Sequence, residues 1–320
     1  MILLPEFSMM PVTSVIEPPR IANRLAEFTY YRWRMYSLDG GPVAASNGLL
    51  INADGRLEDI PEHATVMVCG GLNIQKHTTR PLINWLRKAA RKGADIGALC
   101  TATHVLAEAG LLDGYCCTIH WENMPAFIEA FPDIDISGGL FEVDRDRFTC
   151  AGGTAPIDMM LGLIASQHGT ELAANVAEQV LHSPIRHHSE HQRMSLPARI
   201  GARHPKLIGI VEQMEANLEE PLSPSLLARE AGLSTRQLER LFKRYLDRSP
   251  KRYYLELRLK KARLLLLQTN LSVINVALAC GFSSPSHFSK CYRAYYGRTP
   301  YRERGIPNDQ RNLAATADLS

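Results

Sequence analysis

Cys100 stands where an apolar run, Asp95-Ile-Gly-Ala-Leu-Cys100-Thr-Ala-Thr-His104, passes from strand pattern to helix pattern. A strand-to-helix elbow exposes the side chain at its apex, and the helix N-terminus there favours a thiolate. The turn needs small residues two before and two after, and Ala98 and Ala102 supply them. A working thiolate also needs a base within reach and a group to orient that base. His120, in Thr118-Ile-His-Trp121, is the candidate base. Gly70-Gly71 follow a second apolar run ending at Cys69, and the helix that starts at Thr101 offers backbone N–H groups to an anion. Trp121 adds an aromatic wall that attracts a cation through its ring face. Gly70, Gly71, Cys100, Thr101, His120 and Trp121 therefore make either a nucleophilic site or a pocket for a small metabolite. Cys100 as a redox sensor is a third use. His187, His188 and His191 could ligate a metal, but no carboxylate or cysteine framework accompanies them, so they are read as solvated connector residues.

A second kind of chemistry, recognition rather than reaction, sits in a repeat. Ala228-Arg-Glu-Ala-Gly232-Leu-Ser-Thr returns as Ala277-Leu-Ala-Cys-Gly281-Phe-Ser-Ser, an offset of 49. Beyond the turn the offset is 50: Leu238 answers Phe288, Phe242 answers Tyr292, and Pro250 answers Pro300. Each copy reads as a helix, a turn whose glycine permits positive φ, an apolar pin (Leu233, Phe282), and a second helix opened by serine. That is a helix-turn-helix, whose second helix enters the major groove of duplex DNA. Leu238, Leu241 and Phe242 take the inner face of the first such helix, leaving Arg236, Gln237, Glu239, Arg240 and Arg244 outside. In the second, Phe288 and Tyr292 point in, while Ser286, His287, Ser289, Lys290 and Arg293 point out. Arg and Lys pair with guanine edges or phosphates, Gln with adenine, and Ser and His with either. A merely wet amphipathic hairpin would show this pattern once, not twice.

The elements that carry these residues differ between the two halves of the 320-residue chain. Strand patterns at 2–4, 32–38, 65–69, 95–99 and 148–151 alternate with helix patterns at 14–26, 81–92, 101–109 and 155–168. This predicts an α/β domain with a mostly parallel, doubly wound sheet, its sites at the C-terminal strand ends. Helical periodicity continues over 171–181. Residues 183–205 hold three prolines and the run His187-His188-Ser189-Glu190-His191, and read as an interdomain connection. Everything after Pro205 reads as helix, with Ser223 and Ser249 as caps, each followed by proline. The expected division is 1–182, a connection at 183–205, an all-α domain at 206–305 and a frayed tail at 306–320. Between Arg203 and Arg304 there are 19 Lys and Arg against 9 Asp and Glu, a net of +10; the remainder has 17 against 24, a net of −7. Only the basic half calls for a polyanionic partner. No apolar run approaches bilayer length and no signal peptide opens the chain, so no membrane partner is expected. Seven cysteines with no CxxC pair suit reduced thiols in a cytoplasm.

Residues from about 221 to 304 resemble the AraC/XylS family DNA-binding domain. The resemblance is carried by Gly281-Phe-Ser-Ser-Pro-Ser-His-Phe-Ser-Lys-Cys-Tyr-Arg and Tyr296-Gly-Arg-Thr-Pro300. It implies two helix-turn-helix units, bridged by the long helix around residues 255–267, reading successive major grooves. The first half resembles the class I glutamine-amidotransferase-like (PfpI-type) fold, in which the elbow cysteine pairs with a histidine and glycines shape an oxyanion site. Glu17-Pro-Pro-Arg-Ile-Ala-Asn23, Ala45-Ser-Asn-Gly48, Ala109-Gly-Leu-Leu-Asp-Gly114 and Cys150-Ala-Gly-Gly-Thr-Ala-Pro-Ile-Asp158 extend the resemblance to GlxA-like regulators over nearly the whole chain. It implies a regulator, with the activator sign expected, that responds to a quaternary amine or amino acid such as glycine betaine, carnitine or arginine. The chain departs from PfpI-type enzymes where they place an early acid, reading Phe7-Ser-Met-Met-Pro-Val instead, and it carries Ala102 where they have glycine. The expectation is a retired active site reused as an effector pocket. No catalytic residue, metal or cofactor is expected; the partners are double-stranded DNA, a small-molecule effector and a second copy of the chain. The alternative is a PfpI-type cysteine hydrolase or amidotransferase with an attached DNA-binding module.

Overall fold

A computed structural model describes residues 1–305; the expected tail at 306–320 lies outside the described residues. The chain forms two compact units, Met1–Arg193 and one that starts at Met194. In the first, the sheet strands are β1 (Ile2–Leu3), β2 (Tyr36–Ser37), β3 (Gly55–Arg56), β4 (Val66–Cys69), β5 (Ile96–Leu99), β6 (Phe141–Asp144) and β7 (Arg147–Cys150). Their order is β6-β7-β5-β4-β1-β2-β3. Every pairing is parallel except the β6–β7 hairpin. The main helices are α1 (Met9–Leu25), α2 (Arg80–Arg91), α3 (Thr103–Glu108), α4 (Ala155–His168) and α5 (Thr170–Gln179).

Side chains alternate across a strand, so the sheet feeds two cores. Ile2, Val66, Val68, Ile96 and Ala98 pack with Leu82, Leu86, Val105 and Leu106 on one face. Leu3, Met67, Cys69, Leu99 and Cys150 pack with Val12, Val15, Met159 and Met160 on the other. This is the doubly wound α/β domain that the alternating pattern predicts. The direction of winding reverses between β1 and β4, which puts Glu6, Phe7, Gly70 and Gly71 at the switch point.

Three local expectations differ. The strand at 32–38 shrinks to Tyr36–Ser37 because the Asn23 side chain clamps the preceding loop, its Nδ2 donating to Tyr31 O at 2.8 Å and its Oδ1 accepting from Tyr30 N and Tyr31 N. Helix α1 starts at Met9 rather than residue 14, with Pro11 in its first turn. The connection expected at 183–205 does not run free. Residues 183–193 belong to the first unit and the short helix Leu196–Ile200 to the second, since the polar side chains that looked solvated are hydrogen-bonded to the domain they follow.

The second unit comprises α6 (Pro205–Ala216), α7 (Pro224–Glu230), α8 (Thr235–Leu246), α9 (Pro250–Gln268), α10 (Val273–Ala279), α11 (Pro285–Tyr296) and α12 (Pro300–Glu303). Ser223, Ser234, Ser249, Ser272, Ser284 and Thr299 cap α7 to α12 through side-chain oxygens. Such caps satisfy an orphan N–H and are each worth about 1 kcal/mol. The two helix-turn-helix units are α7–α8 and α10–α11. Their turns hold Gly232 at φ 62 and Gly281 at φ 72. At Gly281 a Cβ would also lie 2.7 Å from Glu219 O, so glycine is required there for space as well as for conformation.

Candidate effector pocket and DNA-reading faces

Cys100 does stand at a sharp turn after β5, but the chain passes through a single 3₁₀ turn at Cys100–Ala102 before α3, and the apex side chain is buried rather than exposed. Cys100 has φ 61, a left-handed conformation that a non-glycine residue adopts at a cost of about 1–3 kcal/mol. Gly70 and Gly71 allow close approach around it. A Cβ on Gly70 would lie 2.7 Å from both Ala102 N and Thr101 Oγ1, and one on Gly71 would lie 2.0 Å from Glu6 O. Thr101 Oγ1 donates to Gly71 O at 2.8 Å, tying the elbow to the end of β4. Thr103 Oγ1 donates to Thr118 O at 2.8 Å and so holds the loop that carries His120 and Trp121. The six candidate pocket residues thus sit in two groups joined by α3.

Within this frame the thiol is not activated. Cys100 is 7% exposed, and its hydrogen-bond partner is the Ser8 hydroxyl at 3.9 Å. Burial pushes the thiol above its ordinary range, and the Glu122 charge adds to this, against the opposing Ser8 and Thr101 hydrogen bonds. Among the described residues no hydrogen bond joins Cys100 to His120. Burial holds the His120 imidazole below its usual range, with Glu122 partly opposing. Its Nδ1 accepts from Glu122 N at 3.4 Å.

The structure adds residues that the sequence reading did not single out. Glu6 and Asn73, in the loops after β1 and β4, also have positive φ, 59 and 50, so the segments that follow three adjacent strands each hold a left-handed non-glycine residue. Glu6 accepts from Asn73 Nδ2 at 2.8 Å and faces His77 Nε2 at 3.1 Å. The Asn73 hydrogen bond, then the one to His77, hold its carboxyl below the usual range. Strain of this kind concentrates at functional sites, and the switch point is where open α/β sheets bind ligands. A cavity of 1070 Å³ lies at the opposite end of the sheet, against Met1, Tyr31, Trp33, Asp95, Phe141 and Met160. It contains none of the elbow residues, and its lining mixes aromatic and aliphatic side chains with the charged Arg32, Arg34, Asp95, Arg145 and Asp146.

The loop of Trp121 is itself covered. Trp121 N donates to Gln192 Oε1 at 2.7 Å, and the Arg193 guanidinium lies 4.6 Å from the centre of the Trp121 ring. Gln192 Nε2 donates to Thr118 Oγ1, Ile119 O and Gly139 O at 2.8–3.0 Å.

In the second unit Arg236, Gln237, Glu239, Arg240 and Arg244 are all exposed on α8, with Leu238 and Phe242 fully buried beneath them. Gln237 is partly committed, since its Oε1 accepts from Ser234 N at 2.7 Å in a capping box. On α11, Ser286, His287, Lys290 and Arg293 are exposed, Ser289 is half-buried, and Phe288 and Tyr292 form the inner face. His287 Nε2 lies 3.4 Å from Cys291 Sγ. Arg258 on α9 fixes the second turn: it donates to Cys280 O at 2.7 Å and Gly281 O at 2.6 Å, and it stacks 4.1 Å from the Phe282 ring centre.

A basic all-α unit with two helix-turn-helix motifs, joined in one chain to a doubly wound α/β domain, defines a DNA-binding transcription regulator. Residues 227–305 match the helix-turn-helix domain family and residues 13–166 the DJ-1/PfpI family. The chain is 50% identical over 303 residues to the HTH-type transcriptional regulator GbdR of Pseudomonas aeruginosa, covering 95% of this chain and 83% of that protein. It is 39% identical over 300 residues to the HTH-type transcriptional regulator GlxA of Rhizobium meliloti, covering 93% of each. A crystal structure of an AraC family transcriptional regulator from Pseudomonas putida matches with TM-score 0.50 and 31% identity, over 56% of this chain and 96% of that one. The chain belongs to this family of AraC-type regulators with a DJ-1/PfpI domain, and like them is a regulator rather than an enzyme. Among the described residues no helix is long and apolar enough to cross a membrane.

Proposed function

We propose that this protein is a cytoplasmic, homodimeric activator that senses a small zwitterion at the strand ends of its α/β domain and reads DNA with α8 and α11. The observation that carries the DNA reading is the doubled exposed face. Arg236, Arg240 and Arg244 on one helix, and Lys290 and Arg293 on the other, each stand over a buried aromatic or leucine anchor. Helix α9 spans 19 residues, and at about 1.5 Å per residue this is roughly 28 Å, near the roughly 34 Å that separates successive major grooves.

A ligand with a carboxylate and a cationic end suits the elbow. The backbone N–H groups after Cys100 favour the anion, and Glu6 and the Trp121 ring favour the cation. Glycine betaine, carnitine or a basic amino acid has this form. Thermal shift on the full chain with betaines, carnitine, choline and basic amino acids tests it. A ligand binding only the folded state should add about 2.7 kcal/mol at 100 times its Kd. Trp121→Ala and His120→Ala should abolish the shift; a hit indifferent to both rules the elbow out as the site.

A further inference from the structure

Residues 182–193 form a strap on the α/β domain, fastened at three points. At its start, Asp158, 1% exposed, accepts from Arg186 N at 2.7 Å, Arg186 Nε at 3.0 Å and Arg186 Nη2 at 2.6 Å, and pairs with His182 Nε2 at 2.7 Å. In the middle, Leu140 N donates to His188 O at 2.7 Å, and His188 Nδ1 faces Glu142 Oε2 at 3.8 Å. At its end, Gln192 fills the hydrogen-bonding positions of Thr118, Ile119, Gly139 and Trp121, and Arg193 covers the Trp121 ring. The next residue, Met194, begins the DNA-binding unit.

The geometry points to the strap as an internal competitor for the effector: Arg193 occupies the ring face that a ligand's cationic group would take, and ligand capture lifts the end of the strap that leads into the DNA-binding unit. This rests on reading Trp121 as a wall of the effector pocket. Two features make the end releasable while the start stays fixed. The Asp158 cluster is buried and charge-paired, and a buried pair is costly to break by removing one partner. The end is held by neutral hydrogen bonds of Gln192 and by the contact between Arg193 and Trp121. Breaking the Gln192 bonds leaves no buried charge unpaired. Arg193 and Trp121 are both exposed, where a cation–π contact is worth only about 0.5–1 kcal/mol. A ligand that takes the ring face therefore loosens the end before the start.

The test uses the full chain, with tetramethylammonium chloride as the cationic probe against sodium chloride at equal ionic strength. Hydrogen exchange at the Leu140 and Trp121 amides reports docking of the strap, because both donate to strap acceptors. The probe should speed exchange at Trp121 in the wild type. Arg193→Ala should bind the probe about two- to fivefold tighter. Arg193→Lys keeps the charge but loses the planar stack, and should fall between, which separates ring coverage from charge repulsion. Gly139→Ala places a Cβ 2.6 Å from His188 O, and should lift the strap and tighten probe binding with Arg193 still present. Equal probe affinity in wild type, Arg193→Ala and Gly139→Ala overturns the competition while leaving the pocket in place. Probe binding that is absent from every variant, or is unchanged by Trp121→Ala, removes the pocket reading and the strap proposal together.

Discussion

The two units keep function and fold in different relations. In the DNA-binding unit they lie on opposite faces of the same helix: Arg240 and Lys290 are exposed, while Leu238 and Phe288 beneath them are fully buried. In the α/β unit they share atoms. Gly70, Gly71, Cys100 and Thr101 are at once the proposed pocket wall and packing contacts, and the elbow holds a left-handed residue that only its surroundings enforce. A reading face of the first kind can be rewritten residue by residue. A pocket of the second kind cannot be altered without disturbing the sheet that forms it.

The largest expected effect tests the buried face. Phe288→Ala should cost about 3–5 kcal/mol of the DNA-binding unit's stability. Denaturant unfolding followed by circular dichroism checks it, and a wild-type midpoint would mean that the inner and outer faces of α11 are exchanged. On the outer face, Arg240→Ala and Lys290→Ala should each weaken DNA binding by about 1–3 kcal/mol if they contact bases, with the melting temperature unchanged. In a fluorescence titration the wild-type log K should fall linearly with log salt. A double variant with wild-type affinity would sink the assignment.

The α/β unit should respond instead to pH. Burial lowers the His104 imidazole from 6.5 to about 4, and Glu108 Oε1 at 3.9 Å is too distant to offset this by hydrogen bonding. Because the unfolded chain binds the extra proton between those values, stability is fully present above about pH 6.5 and falls as pH drops toward 4. From pH 7 to pH 5 this removes about 2 kcal/mol. His104→Gln should flatten that part of a stability–pH curve; an unchanged slope would show that another group carries it. Smallest of all should be Cys100→Ser, which leaves DNA affinity intact. Mass spectrometry after incubation with glutamine or peptide amides should find no acyl adduct on the wild-type thiol, and an adduct there would restore the hydrolase reading.

What could be read from the residues was local. Ser223, Ser234 and Ser249 announce their helices because a cap acts within three residues. The elbow was legible because small residues must flank its apex. Asp158 was visible as the end of a motif but not as an anchor, because its partners His182 and Arg186 lie 24 and 28 residues further on. The same holds for Arg258 and the turn at Gly281, and for Arg193 and Trp121. A polar side chain in a proline-broken stretch looks wet until the fold supplies its acceptor. The two-residue strands β2 and β3 were blurred or missed for a related reason, since their pairing partners, rather than their own pattern, define them.

The repeat's shift of offset from 49 to 50 has a consequence for the operator. The second turn is one residue longer: α8 follows Gly232-Leu233-Ser234, whereas α11 follows Gly281-Phe282-Ser283-Ser284. The two candidate reading helices are therefore not interchangeable, one being arginine-rich and the other serine- and histidine-bearing. Under the proposed reading by α8 and α11, each subunit would read two unlike segments in a fixed order, and turning that element around relative to a promoter would change which probe lies nearer the transcription start.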